Sequence, residues 1–369
     1  MSHLFRAILV TFTFTSGAGM AVAQLHPYAT TFANGSDAHA LVSVEVTTVE
    51  KLEAGGTQAT LKILHVYSGP RYLKGLGIFA ETANGGNRAG GLVTPLLKVG
   101  EIGTATLAVN NLTGTWDVRG VARKDRVSDY DQLLEWSATI EKLAKLDVTK
   151  RLIAARELCG DKNARIAQLG VQVLFIAKPE DAKRASVSEF FTELPEVKGV
   201  TAAALVAADH LLIGRDRKQW LDSDRRKALV ARFTEPLSDD DAVKVTDHVV
   251  SSRYIQSPDG TWFTAEVAAT LLTKIATDPR QSKAVRQIVV TRVVEVANNA
   301  GVKADFTFDV LAAVVRGGID NGVRLAAANG LARFKWGDPA QIGTLRALLT
   351  GEKDAEITKA LEAAIDKSK

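Results

Sequence analysis

The chain of 369 residues has little of what metal, redox or nucleophilic chemistry needs. Its one cysteine, Cys159, excludes an internal disulfide framework and any multi-cysteine zinc site. The histidines beyond residue 23 are His26, His39, His65, His210 and His248. None stands three or four residues from another, so no helix can present a histidine pair to a metal. G-x-S-x-G, H-E-x-x-H and C-x-x-C are all missing. Charge of one sign is missing too: 46 basic residues face 42 acidic ones, for a formal +4. Residues 24–127 hold 10 bases and 8 acids, and residues 128–369 hold 35 and 34. Neither half has the concentrated excess that phosphate tracking requires, so nucleic acid is not an expected partner. After residue 23 there is no apolar run of the ~20 residues that a spanning helix needs.

What is present begins with an export signal over residues 1–23. Arg6 supplies the positive start, Ala7 to Thr15 a short apolar core, and Ala21-Val22-Ala23 a small-x-small cleavage site before Gln24. The expectation is a secreted or periplasmic protein with no transmembrane segment after cleavage. Residues 24–36 read as a linker.

Residues 37–127 read as a small antiparallel β domain. Leu41 to Val46 alternates, with Val42, Val44 and Val46 on one face. Thr60 to Tyr67 alternates again, setting Leu61, Ile63, His65 and Tyr67 against Thr60, Lys62, Leu64 and Val66. Glu53-Ala54-Gly55-Gly56 between them reads as a hairpin loop, and Gly77 to Thr82, Ile102 to Val109 and Trp116 to Val121 are further strands. Short strands broken by Gly-rich turns predict a barrel or a sandwich.

Near residue 128 the alternation stops and the apolar period becomes helical. A connecting helix is predicted over 128–150, where Leu133, Trp136, Ile140 and Leu143 recur three and four apart. Further helices follow over 162–177, 280–298 and around Ile342–Ile365. Pro179, Pro195, Pro236, Pro258, Pro279 and Pro339 all fall between helix candidates, where proline does no harm. Asp161 to Ala167 echoes Asp320 to Ala326, and helix starts near Val200, Ala242 and Ala284 give a drifting interval of about 40 residues.

Val323-Arg324-Leu325-Ala326-Ala327-Ala328-Asn329-Gly330-Leu331-Ala332, preceded by Asp320, resembles the second helix of a HEAT-type repeat. The resemblance extends over residues 151–369 and implies an α-solenoid. The export signal, a Val-rich strand and a second strand closing on Tyr67-Ser68-Gly69-Pro70 resemble exported bacterial domains of the OB or netrin-like type. The expected fold is therefore an N-terminal all-β barrel or sandwich followed by an all-α HEAT-like solenoid.

Each candidate for chemistry has a plain structural counterpart. If cleavage follows Ala23, the new terminus Gln24-Leu25-His26 offers an amine, two amides and an imidazole, a set that suits Cu(II) or Ni(II); cyclisation of Gln24 would destroy it. Asn84 to Gly91 lacks the Lys-Ser/Thr of a phosphate loop, so it reads as a strand connection whose Arg88 can touch a partner. Ser238 before Asp239-Asp240-Asp241 reads as a helix cap followed by acids that favour the helix dipole, by roughly 0.3–1 kcal/mol each. The charge-dense stretch Arg215 to Lys227 reads as a solvated face. Cys159 reads as a small buried apolar residue.

Together these features predict an exported, non-enzymatic scaffold that binds a protein partner through the helical solenoid and the β-domain loops, with no cofactor. The alternative is a hydrolase or carbohydrate-active enzyme with its site between the halves. That reading rests on Trp116, Trp136, Trp220 and Trp262 and the nearby Asp117, Glu135, Asp222 and Asp259.

Overall fold

The computed structural model describes residues 29–51, 57–82, 97–110, 113–124, 130–177, 190–191, 193–194, 196–215, 217–251, 263–299 and 306–368. The export segment, the Glu53–Gly56 loop and Arg88 lie outside them. The chain divides into two compact units, residues 1–155 with 172–185, and residues 156–171 with 186–369.

In the first unit, β1 (His39–Lys51), β2 (Thr57–Ser68), β3 (Gly77–Thr82), β4 (Ile102–Val109) and β5 (Trp116–Arg123) form one antiparallel sheet in the order β3-β2-β1-β4-β5. Val42, Val44 and Val46 do share a face. They pack with Leu61, Ile63, Val66, Leu107 and Val121 in a continuous apolar core. The expected all-β domain ahead of an all-α region is present, and its sheet is open, not closed. The described strands belong to one open sheet, whose edges β3 and β5 approach each other without a backbone ladder. The long central strands carry the curl. β1 and β2 span 13 and 12 residues and pair through three register shifts, each of which adds local bend and twist. One bent sheet thus wraps its own core.

One of these shifts changes the reading of β2. Val44 pairs with Ile63 but Ser43 pairs with His65, which leaves Leu64 as the extra residue. Uniform alternation would put His65 beside Leu61 and Ile63. The bulge instead sends Val66 inward and His65 to the opposite face. That face is covered by α1 (Ala29–Asn34) against β1 and α2 (Tyr130–Ala144) against β2, with Phe32, Leu133, Trp136 and Ile140 buried. Arg151 closes the end of α2, where carbonyls lack intrahelical donors: Nε donates to Leu143 O at 3.0 Å and Nη2 to Leu146 O at 2.8 Å. The chain then passes through α3 (Val148–Leu158) and α4 (Ala164–Phe175).

The second unit is helical. It contains α5 (Ala202–Arg215), α6 (Arg217–Leu221), α7 (Asp224–Ala231), α8 (Asp239–Ser251), α9 (Ala265–Thr277), α10 (Lys283–Asn299), α11 (Thr307–Gly317), α12 (Asn321–Arg333), α13 (Pro339–Gly351) and α14 (Ala355–Ser368). Helices α5, α8, α10, α12 and α14 stack in one layer, each on the next, while α9, α11 and α13 stack in a second. The pairs α9/α10, α11/α12 and α13/α14 join the layers.

The helix starts are set by local chemistry. The side chains of Ser223, Thr264, Asp320 and Asp338 cap α7, α9, α12 and α13, and Pro339 occupies the first turn of α13. Ser238 accepts from Asp241 N at 3.1 Å, as its position before three acids suggests. Asp241 also reaches across to accept from Ala203 N at 2.7 Å, supplying α5 with a cap from a neighbouring helix.

Charged side chains link successive members of the first layer. Arg292 of α10 holds Asp247 of α8 through Nε at 3.0 Å and Nη2 at 2.6 Å. Lys283 at the start of α10 meets Asp320, the cap of α12, at 3.3 Å. Arg324 of α12 donates to Glu352 just ahead of α14 and to Val315 O. Packing is closest at Gly330 in α12, where a Cβ would fall 2.7 Å from Val294 Cγ2 and 3.2 Å from Leu311 Cδ1.

Two glycine substitutions separate propensity from packing. Gly343→Ala in α13 meets nothing within 4 Å, so it should raise stability by about 0.5–1 kcal/mol through helix propensity. Gly330→Ala makes the same gain but overpacks three helices at a cost of about 1–3 kcal/mol. It should lower the thermal midpoint; equal midpoints for the two variants in a melting experiment would contradict the close approach.

Candidate functional site

The most constrained polar group in the helical unit is Asp209. It sits in the middle of α5, in the run Ala202 to Ile213, and has no exposed surface. An ionised carboxylate in such a place needs an answer at each lone pair. Oδ1 accepts from Trp220 Nε1 at 2.7 Å and from Arg226 Nε at 2.8 Å. Oδ2 accepts from Arg226 Nη2 at 3.2 Å and from His248 Nε2 at 2.8 Å. Four donors from three elements, α6, α7 and α8, therefore converge on one side chain.

An aromatic shell completes the cluster. Arg226 lies 4.6 Å over the Phe263 ring, a cation–π contact strengthened by its burial. The His248 ring sets its edge toward Phe233, Phe263 and His210 at centroid distances of 6.2, 5.6 and 6.4 Å.

The cluster lowers the proton affinities of both Asp209 and His210, for different reasons. Burial alone would raise the Asp209 carboxyl, but the hydrogen bonds and charges of His248 and Arg226 outweigh it and hold the carboxyl far below the usual range. Burial pushes His210 down to about 4, assisted by the charge of His248 and opposed by that of Asp209. The Asp209–His248 pair has the composition of the acid–imidazole half of a hydrolytic triad. It is closed to substrate, because His248 is only 7% exposed and both carboxylate oxygens of Asp209 are engaged. What the arrangement does is lock α5, α6, α7 and α8 together.

The β unit holds a polar cleft of about 340 Å³ between the turn after α1, the end of β2 and the end of α2. Glu141 is its hub. The carboxylate accepts from His65 Nε2 and Lys145 Nζ, each at 2.9 Å, and Arg71 Nη2 lies 3.5 Å away. Burial raises the Glu141 carboxyl, but the bonds and charges of His65 and Lys145 outweigh it and hold it at about 2. The β2 bulge is what brings His65 here. Most of the cleft's charge is already engaged within the protein.

The candidates from the sequence fall out as follows. Gln24, Leu25, His26 and Arg88 lie outside the described residues, as do Trp262 and Asp259. Trp136 is core, Trp116 donates to Tyr72 OH at 3.2 Å, and Trp220 is committed to Asp209. Cys159 is buried, and burial pushes its thiol up to about 12, which makes it inert at neutral pH. No cluster of three or more His, Cys, Asp or Glu side chains forms a metal-like group among the described residues. The Asp209 cluster escaped sequence reading because its members lie far apart in the chain. The one available signal was an Asp-His pair inside an otherwise apolar helix.

Removing one partner from a buried ion cluster leaves an uncompensated charge or donor, at about 3–5 kcal/mol. Asp209→Asn should therefore lower stability by that order, while Asp247→Asn, in a more exposed pair, should cost about 1 kcal/mol or less. Chemical denaturation distinguishes the two. His210 adds a pH dependence. Its folded affinity lies below its unfolded value of 6.5, so the unfolded chain takes up the proton first. Stability should fall as pH drops from 6.5 toward 4 at up to about 1.4 kcal/mol per unit. His210→Gln should flatten that limb of the stability curve. Loss from Asp209 comes only at lower pH, beneath its unfolded value of 3.8.

No family model, no curated protein and no solved structure matches this chain, so a functional reading has to stand on the arrangement of its own residues.

Proposed function

We propose that this chain is an exported, non-catalytic scaffold that holds a protein partner on its helical unit, with the β-domain loops as a second contact. The observation that carries the reading is the two-layer stack itself. Each inner helix buries one side against its pair and two more against its neighbours, which leaves rows of helix ridges as the accessible surface. Such ridges suit extended protein partners. Its only acid–imidazole pair among the described residues with both groups buried is sealed and structural, which favours binding over catalysis.

Two finer resemblances support the reading. Helix starts at Asp239, Lys283, Asn321 and Ala355 recur at a drifting interval in one layer, in the manner of HEAT-type repeats. The strand order β3-β2-β1-β4-β5, with β3 coming near β5, fits the five-stranded, partly open barrel of OB type. The apolar start of the sequence supports export, and no helix among the described residues is long and apolar enough to cross a membrane.

Cross-linking the intact protein in the fraction where it accumulates tests the proposal. Lys283, Lys359 and Lys367 are exposed on the stack and should each link to one and the same protein at near-stoichiometric yield. Amino-terminal sequencing of that material should begin at Gln24. Links scattered over many proteins at trace yield, or a chain still carrying residues 1–23, would count against the scaffold and its export respectively.

A further inference from the structure

The polar cleft of the β unit keeps residual charge of both signs. Its volume of about 340 Å³ lies at the small end of the ~300–1,000 Å³ range of small-molecule sites. Arg71 and Lys145 meet there on one carboxylate oxygen: Lys145 Nζ donates to Glu141 Oε1 at 2.9 Å, and Arg71 Nη2 lies 3.5 Å from it. That shared anchor keeps the two cations within the span of one further carboxylate. Neither is used up. Lys145 spends one of its ammonium donors on Glu141, and Arg71 commits Nη1 to Val66 O at 2.9 Å, which leaves guanidinium N–H groups open. Both side chains are exposed, and together they outweigh the single negative charge of Glu141.

Asp37 supplies the other sign. It lines the same cleft from the turn after α1 and is exposed. Its carboxylate has no hydrogen bond or ion pair among the described residues. The cleft thus presents two cations with donors to spare and one carboxylate with nothing to hold.

This combination narrows what fits. A plain anion drawn to Arg71 and Lys145 meets an unmasked Asp37, and a plain cation drawn to Asp37 meets two positive side chains. Like charges brought together cost free energy. A ligand that carries both signs satisfies all three residues, and Tyr67 and Ala144 offer it less polar surface. The open donors of a guanidinium suit a carboxylate, whose two oxygens match its planar N–H groups.

We propose that this cleft binds a free amino acid, its carboxylate on Arg71 and Lys145, its ammonium on Asp37 and its side chain toward Tyr67 and Ala144. The site lies wholly within the β unit, so it goes beyond the scaffold reading and is tested separately from it.

Calorimetric titration of the full-length chain with each common L-amino acid in turn tests the assignment. At least one should bind saturably. Its carboxyl amide keeps only the positive charge and its N-acetyl form only the negative one, and each should bind at least tenfold more weakly. Asp37 has no partner to lose, so Asp37→Asn should keep the melting midpoint and lose at least tenfold in affinity for the free amino acid. The same variant should bind the N-acetyl form more tightly than the unsubstituted protein does, because the repelling carboxylate is gone. Lys145→Gln should do the converse, weakening the free amino acid and improving the amide. A merely structural role for either residue would produce neither reversal. Absence of saturable binding by every amino acid, equal binding of free and blocked forms, unchanged affinity in Asp37→Asn, or blocked forms indifferent to both substitutions would each overturn the assignment.

Discussion

A carboxylate with no access to water dictates much of how the helical unit begins. Asp209 cannot be hydrated, and in the apolar middle of α5 it must be neutralised by donors that arrive from elsewhere in the chain. Trp220, Arg226 and His248 meet that demand only if α6, α7 and α8 adopt one relative arrangement. The aromatic rings of Phe233 and Phe263 then close over the donors. The buried charge thus ties the placement of α6, α7 and α8 to that of α5. Trp220 shows the reach of the constraint, since its indole N–H answers the buried acid from the next helix along the chain.

Where local pattern and tertiary demand agreed, the structure could be read from the residues. The strands Gly77–Thr82 and Ile102–Val109 have the bounds their alternation suggests, because nothing in the fold interrupts their pleat. The helices α2, α10 and α14 follow their apolar period, and Pro236, Pro279 and Pro339 mark ends and starts as ring geometry requires. Reading failed where one residue of slippage decides a face. Leu64 adds that residue to β2, and His65 and Val66 swap sides, which is why His65 meets Glu141 instead of the core. Closure of the sheet was equally hidden, because alternation specifies a strand's faces and says nothing of whether two edges pair. The buried cluster was hidden for another reason: charge compensation across α5, α6, α7 and α8 leaves no periodic trace.

The two units use charge in different ways. In the β unit, Glu141 gathers His65, Lys145 and Arg71 at the rim of a cleft, where water still reaches the bases. Arg123, by contrast, is buried and donates to Glu101. In the helical unit, ion pairs join one repeat to the next: Asp247 with Arg292, Lys283 with Asp320, Arg324 with Glu352. Apolar packing supplies cohesion between repeats and tolerates sliding, whereas a paired guanidinium does not. These links fix the register at which α10, α12 and α14 lie across one another, and Gly330 sets how closely α12 lies on α10 and α11.

Because those links join only adjacent members, the stack is coupled like a chain of dominoes. A helix pair at the α14 end has cover on one side, while α11 is enclosed by α9, α12 and α13. Amide hydrogens should therefore exchange with solvent along a gradient, quickest in α13 and α14 and slowest around α10 and α11. Such graded softness would let the outer repeats yield to the contour of a bound molecule while the interior keeps its shape.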